Sequence, residues 1–314
     1  MKLNVIIPCY NEEGNVELLH KKLSEALSAI DYELIFVNDG SQDKTIDKVK
    51  TIYEKDKEHV KAINFSRNFG KDAAIYAGLS HAKAEYSVII DSDLQQNPKY
   101  LLEMMKYLDE HEDVDQVAMV NKERKKEGLF TKFLKWGFYT FINIISDTKF
   151  KKGASDFRMF RANMVEAIIS LGENNRFSKG IFSWVGFNTH YMEYTVEDRH
   201  SGKAYFNFAN QWKYAFSGIV NFSIKPLRLA TIFGFLFAFG SLFYFAFILI
   251  QTLIEGNAVP GYPSLICAIL LLGGLQLMAI GLLGEYMSRT YLESKKRPAY
   301  IAKNKLGFSD EDIL

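Results

Sequence analysis

Two carboxylates one residue apart, Asp91 and Asp93, close the apolar run Val88-Ile89-Ile90. Hard oxygen donors this close together suit Mg²⁺ or Mn²⁺ shared with the phosphate oxygens of a bound ligand. Such an ion serves reactions in which charge builds on a departing phosphate, because it stabilises that charge without a proton transfer. D-x-D triplets are also common in solvated turns, so the weight falls on the surrounding elements.

Those elements are expected to be strands alternating with helices. Val88 to Ile90 is apolar, rich in β-branched residues and followed by Asn97-Pro98, the pattern of a buried strand ending at a sheet edge. Leu3 to Pro8 reads the same way and runs through the polar turn Cys9 to Asn15 into a helix with Leu18, Leu19, Leu23 and Leu27 on one side. A strand at Glu33 to Val37 ends in Asn38-Asp39-Gly40-Ser41, after which Asp43 and Thr45 can cap a helix. Another, at Lys61 to Phe65, ends in Ser66-Arg67-Asn68-Phe69-Gly70-Lys71. Four strands that stop at polar residues with helices between them imply an α/β domain with a mostly parallel sheet, and its ligand crevice lies at the carboxyl edge.

In Val5-Ile6-Ile7-Pro8-Cys9-Tyr10-Asn11-Glu12, Val37-Asn38-Asp39-Gly40-Ser41, Asn68-Phe69-Gly70-Lys71 and Asp91-Ser92-Asp93-Leu94-Gln95 the chain resembles the family 2 glycosyltransferases of GT-A fold. Gly153-Ala154-Ser155-Asp156-Phe157-Arg158 and Ser223-Ile224-Lys225-Pro226-Leu227-Arg228 extend the likeness to the polyprenyl-phosphate branch. That branch includes dolichyl-phosphate mannose synthases and bacterial bactoprenol-phosphate glucosyl- or N-acetylglucosaminyltransferases. The resemblance implies Asp91 and Asp93 at the metal and diphosphate, with Gln95 completing the metal shell. It implies Pro8, Tyr10, Glu12 and Asp39 around the base and ribose, and Lys71 at the diphosphate. Glu12 and Asp39 also carry a physical argument, since carboxylates at strand ends can accept from ribose hydroxyls or a uracil N–H. Helix capping is their alternative, and a solvated lysine is that of Lys71.

On the acceptor side the resemblance implies that Arg124, helped by Lys122, Lys125 and Lys132, meets the lipid phosphate, followed by Arg199 and Lys203 in the loop Arg199 to Tyr205. Phe130, Phe133, Leu134, Trp136, Phe138 and Tyr139 beside the basic run suit a helix lying on a membrane surface, as do the aromatics from Phe206 to Phe222. Asp156 stands where relatives place a base for an acceptor hydroxyl. A lipid monophosphate, with a second pKa of about 6 by analogy with phosphoserine, arrives already nucleophilic. Asp156 is therefore expected either to position the reactants or to pair with Arg158.

Leu229 to Ile254 and Leu265 to Gly284 each exceed or match the roughly 20 apolar residues that cross a bilayer. Lys225 and Arg228 precede the first stretch, Arg289, Lys295, Lys296 and Arg297 follow the second, and the loop Glu255 to Pro263 has no basic residue. The positive-inside rule then expects a multi-pass protein of the cytoplasmic membrane with both termini and the catalytic domain in the cytosol. Residues 1–196 are expected to be the GT-A domain, 197–228 an acceptor loop with amphipathic juxtamembrane helices, 229–288 two transmembrane helices and 289–314 a cytosolic tail. Met1-Lys2-Leu3 runs straight into the first strand, so no cleavable signal is expected.

Other classes are disfavoured. A net charge of +1 over 314 residues offers no nucleic-acid footprint. Neither G-x-G-x-x-G nor a P-loop follows a strand, and Cys9 and Cys267 make neither a disulfide nor a zinc pattern. A processive polysaccharide synthase would carry Q-x-x-R-W, and a non-catalytic scaffold of the same fold would shed the costly strand-end acids. The resemblance thus implies inverting transfer of a sugar from UDP-glucose or UDP-N-acetylglucosamine to polyprenyl phosphate, with a flippase and a lipid-linked-sugar transferase downstream. Gly234 and Ala238 form a small-x-x-x-small pair that suits a homo-oligomer.

Overall fold

The computed structural model describes residues 1–122, 153–174, 176–197, 223–255 and 261–308. Among them an eight-stranded sheet has the order β7-β5-β6-β4-β1-β2-β3-β8. Its strands are β1 (Leu3–Cys9), β2 (Tyr32–Asn38), β3 (Val60–Phe65), β4 (Tyr86–Ile89), β5 (Gln116–Asn121), β6 (Ala154–Arg161), β7 (Thr189–Tyr194) and β8 (Ala302–Leu306). The pairs β1–β2, β1–β4, β2–β3 and β5–β7 are parallel, whereas β6 runs antiparallel to both β4 and β5, and β8 antiparallel to β3. The sheet is GT-A-like, with its parallel ladders outnumbering the antiparallel ones.

The central strands β1, β2 and β4 are buried along their whole length because both faces are covered. Val5, Ile7, Leu34, Phe36, Val88 and Ile90 pack toward α1 (Val16–Leu27), α2 (Thr45–Lys55) and α4 (Lys99–Glu110). Ile6 and Ile89 alternate to the opposite face, against α3 (Lys71–Ser80), α5 (Ala162–Ser170) and α6 (Ser178–Trp184). Where α3 crosses β1, a Cβ on Gly78 would overlap the Ile6 side chain, so only glycine lets the helix approach this closely. That close crossing seats the last turn of α3 on β1, and the helix begins at Lys71.

Two long helices follow, α7 (Lys225–Glu255) and α8 (Tyr262–Ser294). At 31 residues α7 is about 46 Å long. Within the described residues one segment, Leu271–Ser294, is long and apolar enough to cross a membrane, and Leu227–Ser241 is a shorter apolar stretch. The sequence reading expects two spans and starts the second at Leu265. The helix α8 contains the whole of the expected second stretch and continues past it to Ser294, where Met287, Tyr291 and Leu292 are exposed.

The stretch expected to be only a tail contains β8. Asn64 pairs with Asn304 and Ala62 with Leu306, and Tyr300 stacks on Phe65 with ring centroids 4.8 Å apart. The chain thus returns from its two long helices to close one edge of the catalytic sheet.

Candidate active site

Asp91 and Asp93 follow the carboxyl end of β4, and the antiparallel register of β6, with Ile89 opposite Arg158, carries Asp156 to the same edge. Lys71 reaches that edge from the first turn of α3. Its Nζ lies 2.6 Å from Asp91 Oδ1 and 2.9 Å from Asp156 Oδ2, so one ammonium bridges two acids from different strands. The Lys71 side chain is 43% exposed and that of Asp156 15%. Burial works to raise the Asp156 carboxyl, but the charges of Lys71, Lys179 and Arg158 outweigh it and hold the group down to about 2. Burial likewise opposes the Lys71 charge, and the two carboxylates more than offset it, keeping the ammonium protonated well above its ordinary range. Asp156 Oδ1 is buried and has no hydrogen-bond partner among the described residues.

The expected pairing of Asp156 with Arg158 is therefore replaced by an ion pair with Lys71. Arg158 donates from Nε to Ser155 O at 3.0 Å and from Nη1 toward Gln116 Oε1 at 3.4 Å, and it acts on Asp156 only through its charge. The solvated reading of Lys71 also fails, because both neighbouring acids hold it.

Around Asp91 the loop is braced by a residue the sequence reading overlooked. Buried Gln96 accepts from the Asp91 backbone N–H at 2.9 Å and donates from Nε2 to Asp91 Oδ2 at 3.0 Å. Ser92 Oγ donates to Pro8 O at 3.0 Å, tying the D-x-D loop to the end of β1. Gln95 turns elsewhere. Leu94 takes φ 62° between Asp93 and Gln95, and the Gln95 side chain donates from Nε2 to Glu197 O at 3.2 Å while Glu197 N–H donates to Gln95 O at 3.0 Å. Gln95 is thus latched through its side-chain amide to the segment just before the expected acceptor loop, while its backbone N–H donates to Asp93 Oδ1 at 3.2 Å. A pair of glutamines directly after the acids was the available signal that one of them serves the loop itself.

Asp39 is 3% exposed, and its two oxygens accept from the backbone N–H groups of Phe69 at 2.6 Å and Gly70 at 3.0 Å. Burial pushes this carboxyl up, and the two amide bonds pull against it. Asp39 thereby fixes the turn that delivers Lys71. Gly40, at φ +64°, packs so tightly under Arg67 and Asn68 that a Cβ would overlap their backbone.

The Tyr10 to Glu13 turn is cross-braced to residues 41–45. Asn11, at φ 54°, donates its N–H to Ser41 Oγ at 3.0 Å, and Glu12 N–H donates to Thr45 Oγ1 at 2.8 Å. Glu12 Oε2 accepts from the side-chain amide of Asn15 at the start of α1, a bond that caps no backbone N–H of the helix. Pro8, Tyr10, Glu12 and Asp39 so line one sector of the carboxyl edge, with Lys71, Asp91, Asp93 and Asp156 in the next.

The acceptor side is described only at its rim. Lys122 follows β5, exposed, and its N–H donates to Tyr194 O at 3.0 Å. Arg124, Lys125, Lys132, Arg199 and Lys203, with the aromatic stretches at residues 130–139 and 206–222, lie outside the described residues.

Fold and site together define an α/β domain of GT-A type with an acidic, lysine-bridged crevice at the carboxyl edge of its parallel strands. The chain belongs to glycosyl transferase family 2, whose model matches residues 4–169, and the GtrB C-terminal hairpin model matches residues 225–290. It is 41% identical over 309 residues to the bactoprenol glucosyl transferase of Shigella phage SfV, covering 97% of this chain and 99% of that protein. It is 40% identical over 308 residues to the prophage bactoprenol glucosyl transferase homolog of Escherichia coli (strain K12), covering 96% and 99%. A glycosyltransferase of Synechocystis, sll0501, is 38% identical over 309 residues, covering 98% and 96%.

Proposed function

We propose that this glycosyltransferase moves a hexosyl residue, glucose by the names of its relatives, from a UDP-linked donor to polyprenyl phosphate at the cytosolic leaflet, with inversion at the anomeric carbon. The observation that carries this reading is the convergence of Asp91, Asp93, Asp156 and Lys71 at one sheet edge, in a chain whose residues 225–290 match the GtrB C-terminal hairpin. We take α7 and α8 as two membrane spans, with the loop between them outside.

The donor set fits a divalent cation. Two acids of the D-x-D loop stand at the crevice, and a cation, the Lys71 ammonium, already rests against one of them. Asp91 and Asp93 would hold Mg²⁺ or Mn²⁺, which when bound supplies charge compensation for the departing diphosphate. Pro8, Tyr10, Glu12 and Asp39 cradle the nucleoside, Asp39 by holding the neighbouring turn in place. Asp156, ionised throughout the neutral range, is a weak base because proton acceptors work best with a pKa near the operating pH. Its buried Oδ1 instead offers an acceptor for a sugar hydroxyl and so orients the donor. The lipid phosphate arrives charged, and holding it in line with the anomeric carbon supplies much of the acceleration. Arg124, Lys122, Lys132, Arg199 and Lys203 are the groups proposed to hold that phosphate. Export of the lipid-linked sugar by a flippase, and its use by a second transferase, complete the proposed sequence.

The test is a donor screen on the intact protein in bilayers containing polyprenyl phosphate, with UDP release and lipid-linked product both measured. UDP-glucose with Mg²⁺ or Mn²⁺ should give one sugar per lipid, and Asp93→Asn should lower turnover by at least ~10²-fold. UDP release that ignores the lipid, or a polymeric product, would overturn the acceptor assignment.

A further inference from the structure

Lys71 occupies an unusual position for a residue expected to meet a diphosphate. Its ammonium is committed to two carboxylates, one belonging to the D-x-D loop and one to β6. Both Asp91 oxygens are engaged in this arrangement, Oδ1 by the Lys71 ammonium and Oδ2 by Gln96. Asp156, by contrast, keeps Oδ1 buried and, among the described residues, unpartnered. A cation arriving at Asp91 must therefore compete with Lys71, and Lys71 can retreat along the bridge without leaving Asp156.

We propose that Lys71 is an internal counter-ion for the metal site: it neutralises Asp91 in the donor-free enzyme, yields Asp91 to the divalent ion that accompanies the donor, and then bridges Asp156 to the donor diphosphate. The proposal deepens the metal-dependent reading above and rests on it. Three observations support the exchange. The Lys71 side chain is 43% exposed, so the ammonium can move toward the crevice without unpacking the core. The turn before it is held from the far side by Asp39, which accepts from both Phe69 and Gly70, so the movement is confined to the side chain. Lysine presents a compact charge on a four-carbon stem with rotatable donors, which suits a partner exchange better than the fixed fork of arginine. The consequence is ordered binding. Metal alone meets a neutralised Asp91 and binds weakly, whereas metal with a diphosphate brings the negative charge that draws Lys71 away.

The test measures Mn²⁺ binding to the intact protein by electron paramagnetic resonance, first without nucleotide and then with saturating UDP. Removing the competing charge with Lys71→Met should tighten nucleotide-free Mn²⁺ binding about tenfold, in line with the loss of one charge-assisted hydrogen bond from its competitor. Lys71→Arg, which keeps the charge, should bind Mn²⁺ no more tightly than the unaltered protein. Lys71→Gln, a neutral donor to both acids, takes the place of the methionine variant if that protein does not fold. With UDP present the neutral variants should lose nucleotide affinity at saturating Mn²⁺, because the diphosphate has lost its lysine. Nucleotide-free Mn²⁺ affinity that is unchanged or weaker in the neutral variants overturns the counter-ion proposal. If instead the unaltered protein binds no Mn²⁺ even with UDP, the metal-dependent reading falls first, and the two failures are told apart.

Discussion

The side-chain amide of Asn64 donates to Asn304 Oδ1 at 2.8 Å, joining residues 240 positions apart. The bond continues as a ladder. Asn64 Oδ1 accepts from Asn38 Nδ2 at 2.8 Å, Asn38 Oδ1 accepts from Ser41 Oγ, and Ser41 Oγ accepts from the N–H of Asn11. The strand that follows the long helices is thus connected, through β3 and β2, to the turn proposed to hold the nucleoside. Asn304→Ala removes one rung, worth about 0.5–1.5 kcal/mol net. The intact variant should melt a few degrees lower and bind UDP up to about tenfold more weakly by calorimetry. An unchanged melting temperature together with unchanged UDP affinity would show that the ladder does not support the nucleotide turn.

The latch between Gln95 and Glu197 makes a prediction opposite to the sequence reading. If Gln95 ligates the metal, Gln95→Glu puts a carboxylate on the ion and should change Mn²⁺ affinity strongly. If it latches, the effect falls on the acceptor side, because glutamate cannot donate to Glu197 O and adds a charge near the Glu197 carboxylate. The expected result is UDP-dependent Mn²⁺ binding within about twofold of the unaltered protein, with a several-fold higher KM for polyprenyl phosphate. A large gain or loss in metal affinity with the lipid KM unaltered would restore Gln95 to the metal shell.

The contrast between these two sites shows where sequence reading succeeds. β1, β2 and β4 are legible because central parallel strands are covered on both faces and read as unbroken apolar runs. β8 is not, since Ala302-Lys303-Asn304-Lys305-Leu306 is a polar edge strand, and lysines on an edge look like a solvated tail. Asp91 and Asp93 are legible as strand-end acids from their own neighbours. The Lys71–Asp156 pair spans 85 positions and exists only because β6 runs antiparallel to β4, a register that no local pattern encodes. Gln95 is the converse case: it stands close to Asp93 in sequence, but its latch to Glu197, 102 positions away, follows only from the fold.

The ionisation of Asp156 sets a pH dependence with a definite sign. Its folded carboxyl lies at about 2, below its ordinary 3.8, so the stability contributed by its ion pair is fully present above about pH 4 and is lost only as pH falls toward 2. It does not titrate where the enzyme works. Turnover should instead fall on the acid side with an apparent pKa near ~6, that of the lipid phosphate. Asp156→Asn should keep this acid limb in place, retain measurable transfer at saturating acceptor and raise the donor KM. An acid limb that moves in Asp156→Asn, or complete loss of turnover with both affinities intact, would make Asp156 the proton acceptor.

The helix α8 is tied to the catalytic domain at Asn174 and to the start of the hairpin at Ser223, and this changes what removal of the long helices should do. Glu293, near the end of α8, accepts from the Asn174 backbone N–H at 3.0 and 3.1 Å, and Tyr286 Oη donates to Ser223 O at 2.6 Å. A chain ending at Ser223 keeps every residue proposed to touch the nucleotide, yet it loses β8 and Tyr300, exposing Phe65 and the edge of β3. It should therefore fold poorly and bind UDP weakly. Replacing residues 225–294 by a Gly/Ser linker of about ten residues, with a root-mean-square span of about 17 Å, should avoid that damage. Ser223 lies against Tyr286, about 14 Å of helix from residue 295, so such a linker can return the chain to β8. This second protein should bind UDP like the intact one but transfer sugar to bilayer-embedded polyprenyl phosphate far more slowly, because anchoring raises effective concentration and fixes the approach of the lipid phosphate. Equal transfer by the linked and intact proteins would remove acceptor presentation from the role of the helices. Undiminished UDP binding by the chain ending at Ser223 would show that the returning strand is dispensable to the nucleotide site.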